Sequence, residues 1–596
     1  MGGSKLSKIY NNIKQKLQNN LKSVFYDENE RSNLKDMRTI RNLSLLVMLL
    51  TISLTCLYVN KSMSYSKYER VEFESAGSIL FANLYYPAKS YEFQDTRPLI
   101  IYCHGIGLQR DFDLRIPIEF TKRGFYVAAL DYQGHGESGG NIANIDQSTG
   151  TLAIAQDCSK LLDKLESFPF FNDVNPDQIG LIGHSFGGMV VLMNQALDAR
   201  FNVTVAWAPL TNFEPQMLGL PDKEAFTKFI PVNLLNQDNT HNLLVIMHLE
   251  DEVLDFHDQT AILQEKTSCE VLSIEEILFL GGHQLLSDRV IIESINWFEL
   301  YFFKSIEING PIQITYMHTY GFIITSLTLI FGIVLILISY SSKFFISRKR
   351  SLEYDTVSNS EPVEKSVVLK RVTKMFFYSG IFIINWMAFE LLLGILGILF
   401  ASLNALLFFF ITKLIRYFYL EGHKFQWVNI KRELKKHFKL KYIIYSFICS
   451  IYFICIYLIF SFFCPFGFVW PTSMMSILMT IVAFPIYISM EILYRLVIYP
   501  LLDFMKSERK KSLTIIGIAI LIHMILISIT WNWSFLPSTI LMYIILLVVA
   551  IQNTLIYEHT HAFGIVILGP FDIIQLFLGG VISNLLGIYS TLHLFV

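Results

Sequence analysis

The hydrophobic positions of the chain follow two patterns. Between Asn60 and about Gly310 they form short runs; on either side they form runs long enough to cross a bilayer. PLIIYC (98–103), FYVAAL (125–130), QIGLIG (178–183), VTVAWA (203–208) and LLVIMHL (243–249) are unbroken and apolar. Runs this short, apolar on both faces, predict strands inside a parallel sheet. Helix-length segments at 150–166 and 186–199 lie between them. RVEFES and ILFANLYY, joined by Ala-Gly-Ser, predict an antiparallel hairpin ahead of the parallel strands. The βαβ rhythm predicts a doubly wound, mostly parallel sheet.

The long runs predict membrane passes. LSLLVMLLTISLTCLYV (43–59) follows a polar stretch, 1–41, rich in Lys and Arg. It is long enough to span, lies deep in the chain and lacks a small-residue cleavage site, so it predicts a signal anchor. Leu6 stands where a myristoylation signal needs Ser or Thr, which excludes that anchor. Further passes are predicted at about 319–340, 375–392, 394–412, 442–463, 474–497, 513–530 and 538–557, with one or two more in 562–596. The segments 1–41, KFFISRKR and its continuation to Lys374, 413–441, and KSERKK are rich in Lys and Arg; the alternating loops CPFGFVWPTS and WNWSFLP hold none. The positive-inside rule places the basic segments in the cytoplasm and the globular region on the other side. The expected organisation is a basic cytoplasmic segment (1–41), a transmembrane anchor (42–60), an extracytoplasmic globular domain (61–310) and an all-α multi-pass transmembrane domain (311–596).

Composition agrees with a partly embedded chain: 53% of the 596 residues are hydrophobic and 16% charged. A net charge of −2 gives no global field for nucleic acid. The seven cysteines are scattered, without zinc-type spacing, and most fit small buried hydrophobes better than a disulfide framework. Neither a metal nor an organic cofactor is implied.

One stretch carries chemistry. GHSFGG (183–188) holds Gly-x-Ser-x-Gly between the strand-like QIGLIG and the helix-like MVVLMNQALDAR. A serine on a tight strand-to-helix turn is exposed above a helix N-terminus, whose N–H groups favour developing negative charge. Ser185 then needs a base, and the base an orienting acid, in the order Ser, Asp or Glu, His. Asp251 follows LLVIMHL, with Glu250, Glu252 and Asp255 nearby; His283 follows ILFLGG. Asp251 is the expected acid and His283 the expected base. The backbone N–H groups of Phe186 and Ile106 are the expected oxyanion donors, and His104 is expected to organise the loop carrying Ile106. The region from Ala208 to Asn242 is the expected cap, short enough to leave an accessible cleft.

Residues 66–304 resemble the α/β-hydrolase superfamily, in particular its esterase, monoacylglycerol-lipase-like and serine-aminopeptidase-like branches. His104-Gly105, DYQGHGESGG (131–140), GHSFGG, Asp251 and Gly281-Gly282-His283 carry the resemblance. It implies Ser185 as nucleophile, Asp251 as acid and His283 as base, cleaving esters, amides or thioesters through an acyl-enzyme. Where the family often has His-Gly before the acid, this chain has MHLED. In the second half, MEILYR (490–495) and AILIH (519–523) faintly resemble the CAAX-prenyl-protease and bacteriocin-processing membrane family. Met490 stands where that family has its first glutamate and Ala519 where it has phenylalanine, which implies a degenerate relative. Glu491 and Arg495, one turn apart, are expected to pair as support.

The expected whole is an α/β-hydrolase fold joined to a multi-pass membrane domain. Its expected activity is that of a serine hydrolase cleaving a lipid or other small acyl ester at the bilayer. The alternatives are a serine-aminopeptidase-like peptidase, and a transporter or receptor using the domain to bind a ligand.

Overall fold

The computed structural model describes residues 65–319 apart from 88–95, 107, 112, 216–223, 277–281 and 309. It also describes 365–393, most of 498–505, 508–530 and scattered positions in 43–58, 321–341 and 404–455.

The hairpin predicted from RVEFES and ILFANLYY is β1 (Tyr65–Ser75) and β2 (Ser78–Pro87), antiparallel and turning at Ala76 and Gly77, both at positive φ. Then follow β3 (Arg97–Cys103), α1 (Arg115–Lys122), β4 (Tyr126–Asp131), α2 (Asp157–Glu166), β5 (Val174–His184) and α3 (Phe186–Leu197). Next come β6 (Val203–Trp207), β7 (Leu243–His248), α4 (Phe256–Thr267), β8 (Glu270–Ile274) and α5 (Asp288–Phe303). The eight strands stand in the order β1-β2-β4-β3-β5-β6-β7-β8, parallel from β4 onward.

The strand runs are unbroken because both faces of the sheet are covered. Successive residues of β3 point to opposite sides: Ile100 and Tyr102 join α1 and α5 in one apolar layer, Leu99, Ile101 and Cys103 join α2, α3 and α4 in the other. Each fully buried Leu, Ile or Phe there contributes roughly 1.5–3 kcal/mol of transfer free energy. Cys103 and Cys158 are buried thiols packed into the second layer.

The structure differs from the sequence pattern in one place and adds to it in two. The segment 150–166 is not one helix: Thr151–Leu152 pairs with Ile145–Asp146, a short 3-10 turn follows, and α2 begins only at Asp157. The sheet gains an edge strand, β8, at Glu270–Ile274; the apolar run 277–280 ahead of His283 falls outside the described residues. Beyond α5, Ile312, Ile314 and Tyr316 pack back on the first apolar layer.

Helices α6 (Lys365–Leu393) and α7 (Glu508–Thr530) include the segments 375–392 and 513–530, so those are helical. Ser53 Oγ donates to Thr325 Oγ1 at 2.6 Å, between the expected anchor and the expected second pass. Among the described residues no helix is long and apolar enough to cross a membrane. The passes expected at 394–412, 442–463, 474–497, 538–557 and within 562–596, and the Glu491–Arg495 pair, lie wholly or largely outside the described residues.

Candidate active site

Ser185 sits between the end of β5 and the start of α3 at φ 55°, ψ −117°, a conformation costly for any residue with a side chain. Packing holds it there. The Ser185 N–H donates to Trp207 O at 2.8 Å, and Ser185 O accepts from Met189 N and Leu210 N at 3.2 and 3.3 Å. The flanking glycines have no room for a side chain. A Cβ on Gly183 would lie 2.3 Å from Gly187 O, one on Gly187 2.3 Å from both Cys103 O and His104 O, and one on Gly188 2.8 Å from Pro209. The spacing Gly-x-Ser-x-Gly is thus a condition for the helix to start against the end of β3.

The three sequence-predicted residues come together from separate strands. Ser185 Oγ donates to His283 Nε2 at 2.9 Å, and His283 Nδ1 donates to Asp251 Oδ2 at 2.8 Å and Oδ1 at 3.0 Å. Asp251 Oδ1 also accepts from the N–H groups of Val253 and Leu254 at 2.8 and 2.9 Å. Burial pushes the Asp251 carboxyl up, but the His283 hydrogen bond and charge and these two N–H groups outweigh it and hold it below its ordinary value. Asp251 is therefore the ionised partner that fixes the Nδ1–H tautomer of His283. Asp255 acts elsewhere, since its carboxylate accepts from Asp258 N at 3.0 Å and caps α4.

Three neighbours escaped sequence reasoning. Glu252 Oε2 accepts from Gly282 N and His283 N at 2.8 and 3.2 Å, so adjacent carboxylates hold the ring and the backbone of one histidine. His184 Nε2 donates to His283 O at 2.8 Å. Burial, and then the neighbouring His283, push the His184 imidazole down to about 4, so it is neutral near pH 7 and serves as a fixed donor. His248, in the departing MHLED stretch, donates from Nε2 to Glu276 O at 2.9 Å and accepts from Glu250 N at 3.0 Å. Its ring leaves no space for a side chain at Gly282. Apart from Glu250 N, these partners are backbone atoms about 30 to 100 residues away, which no motif encodes.

Ile106 lies on the turn after β3, and Phe186 begins α3. The close approach of Gly187 to Cys103 O and His104 O sets that turn beside the start of α3, where two converging N–H groups are wanted. The 131–140 block holds the turn from below. Tyr132 OH donates to His104 O at 2.8 Å, and the His104 ring stacks on Tyr132 at 4.7 Å while its Nδ1 donates to Gly105 O at 2.8 Å. Asp131 accepts from Arg110 N at 2.6 Å and from the Arg110 guanidinium. Burial would raise this carboxyl, but Arg110 and His104 hold it down to about 2. Gly136 has φ +54°, and a Cβ there would collide with Asp131. His104 is fully buried and spent in this scaffold.

Among the residues of α3 and the short cap helices Glu224–Thr227 and Pro231–Leu234 is a small pocket, with room for about one water, lined by Ile142, Leu152, Ile154, Phe186, Met189, Met193, Phe213, Phe226, Phe229 and Ile230 and by none of the three residues Ser185, Asp251 and His283. Every lining side chain is apolar. Among the described residues no group of three or more His, Cys, Asp or Glu is arranged to hold a metal.

Residues 94–272 match the family model described as serine aminopeptidase, S33. Among curated proteins the chain is 28% identical to the platelet-activating factor acetylhydrolase of Cavia porcellus, over 22% of this chain and 40% of that one. It is 27% identical to a thiohydrolase of Eupenicillium brefeldianum, over 26% of this chain and 46% of that one. The chain thus spans less than half the length of these curated relatives. Among solved structures, acetyl xylan esterase 1 from Thermoanaerobacterium is similar at 19% identity and a TM-score of 0.30, covering 42% of this chain and 93% of that one. The acylaminoacyl peptidase of Pyrococcus horikoshii is similar at 14% identity and a TM-score of 0.33, covering 41% and 42%. With its strand order, its serine on a strained strand-to-helix turn and this match over residues 94–272, the segment 66–304 has an α/β-hydrolase fold.

Proposed function

We propose that the chain is a membrane-anchored serine hydrolase that cleaves an ester bearing an apolar acyl group. The observation that carries this reading is the unbroken relay Ser185–His283–Asp251, at 2.9 and 2.8 Å. In this reading Ser185 Oγ attacks the ester carbonyl carbon as His283 Nε2 takes its proton. Asp251 stabilises the resulting imidazolium. The N–H groups of Phe186 and Ile106 receive the oxyanion. His283 then protonates the departing alcohol, and water, activated by the same ring, releases the acid from the acyl-enzyme. No cofactor is required.

The matches to an acetylhydrolase and a thiohydrolase among curated proteins favour an acyl ester over a peptide. A peptidase of the serine-aminopeptidase type is the second reading, favoured by the family match over 94–272. The anchoring rests on the long apolar runs and their alternating basic loops, which favour a hydrolase domain outside the cytoplasm. Turnover of p-nitrophenyl esters of graded acyl length, set against amino-acid p-nitroanilides, separates the readings. The ester reading expects turnover to rise with acyl length and anilides to be inert; anilide cleavage that outruns every ester would favour the peptidase.

A further inference from the structure

The chain leaves the hydrolase domain along a built path. After α5 it turns through Lys304, Glu307 and Gly310, all at positive φ. Gly310 O accepts from Arg123 Nη1 at 2.9 Å, just beyond the C-terminal end of α1, where Arg123 is also bonded to the buried Glu299 at 2.6 Å. Lys122 Nζ then donates to Gln313 O and, at 3.0 Å, to Thr315 Oγ1. Glu119 Oε1 accepts from the N–H groups of Thr315 and Tyr316, both at 2.6 Å. Finally Tyr316 OH donates to Asp288 Oδ1 at 2.9 Å, on the first residue of α5.

The order of these bonds gives a direction. As the chain advances from 310 to 316, its partners climb α1 from Arg123 back to Glu119 and reach the start of α5. Both of those helix starts lie at the edge of the sheet that carries the triad. Arg115, the first residue of α1, donates to Leu285 O at 2.9 Å, two residues past His283, and α5 begins shortly after that. The strap therefore returns the chain to the catalytic edge, and the apolar segment 319–340 begins there.

The same edge exposes apolar side chains. Leu249 and Val253, flanking Asp251, are 43% and 62% exposed, Leu286 beside the His283 loop 40%, and Met317 at the end of the strap 65%. A single exposed Leu needs no explanation. A set of them around one catalytic mouth, beside a segment delivered toward a bilayer, marks a surface that meets something apolar. Glu250 and Glu252 on the same loop oppose an anionic surface, so a zwitterionic lipid fits better.

We propose that the catalytic edge of the hydrolase domain rests on the surface of its own bilayer, with Leu249, Val253 and Leu286 entering the lipid interface. The triad then faces the lipid, and an acyl ester reaches Ser185 laterally from the membrane. This rests on the membrane anchoring proposed above.

The test uses the full chain in phosphatidylcholine vesicles, with Cys56, Cys449, Cys455 and Cys464 replaced by Ser. A fluorophore is attached through Leu286→Cys or, at the opposite edge of the sheet, through Asp177→Cys. Doxyl-labelled phosphatidylcholine is expected to quench the Leu286 probe at least threefold more than the Asp177 probe, with aqueous iodide giving the reverse order. Equal lipid quenching at both sites, or a chain that does not float with the vesicles, overturns the proposal. Catalysis plays no part in this readout. Lipid quenching at Leu286 in a protein that turns over no ester would support the docking and sink only the ester reading. In the double variant Leu249→Gln/Leu286→Gln, turnover of a vesicle-embedded long-chain ester is expected to fall about tenfold while that of a soluble short-chain ester stays within twofold. An equal fall in both contradicts a lipid-facing role for the rim.

Discussion

Gly187→Ala tests the geometry of the turn directly. The added Cβ would lie 2.3 Å from Cys103 O and from His104 O, where ordinary contact begins near 3.4 Å, so the two elements must part by about 1 Å. Neither oxygen can rotate away, because both are backbone at the end of β3. The separation opens the gap between the Ile106 turn and the start of α3, the two sources of the expected oxyanion donors. A misplacement of about 1 Å, or the loss of one such donor, costs roughly 10²-fold in kcat, or about 2.7 kcal/mol of transition-state stabilisation. The overpacking itself costs about 1–3 kcal/mol of stability, so a folded variant with a lowered Tm is expected. The assay is kcat on a soluble short-chain ester, normalised to folded protein. Gly139→Ala is the control, since its Cβ would meet nothing nearer than 3.5 Å. A Gly187→Ala enzyme with kcat within threefold of the parent and an unchanged Tm would refute the argument.

Three further outcomes are expected. Asp251→Asn should lower kcat about 10⁴-fold by losing the His283 tautomer, whereas Asp255→Asn, which weakens only the cap of α4, should cost under threefold in the same assay. Asp157 is buried between Ser75 Oγ and Gln133 N, and burial raises its carboxyl to about 7. Between its ordinary value and 7 the folded chain holds a proton that the unfolded chain has released, so stability from this group falls as pH rises through that window, by about 1.4 kcal/mol per unit. Denaturant titrations of Asp157→Asn across pH 4–8 should show that slope removed; an unchanged slope would contradict it. For topology, a cysteine placed at Asp177 should react with an impermeant maleimide in intact cells and one beside Lys349 should not, the reverse pattern refuting the orientation.

What the sequence made legible was whatever is written in local periodicity. The central strands show because both faces are buried, so their residues are apolar without alternation. β8 does not, because it is an edge strand whose residues other than Ile274 remain partly exposed. Ser185 and His283 were legible from their glycine-rich surroundings. The choice among four nearby carboxylates was harder, since composition there is uniform and only direction in space separates them. One local signal was present: Asp255, three residues before Asp258 at the head of a helical stretch, is an N-cap pattern that removes it from the candidates. His184 and Glu252 could not be found this way, because each acts on the backbone of the His283 loop, about 100 and 30 residues away. The strap 310–316 was hidden for the same reason: its partners Glu119, Lys122 and Arg123 read as ordinary charges on a surface helix until the fold buries them.

The most direct measurement of the central claim is active-site labelling of the full chain by a fluorophosphonate, read by intact and peptide mass, alongside ester turnover. A single adduct per chain on Ser185, with labelling and turnover both lost in a folded Ser185→Ala variant, is the predicted result. Folded protein that takes no label, or a Ser185→Ala variant that still turns over the ester, would contradict it.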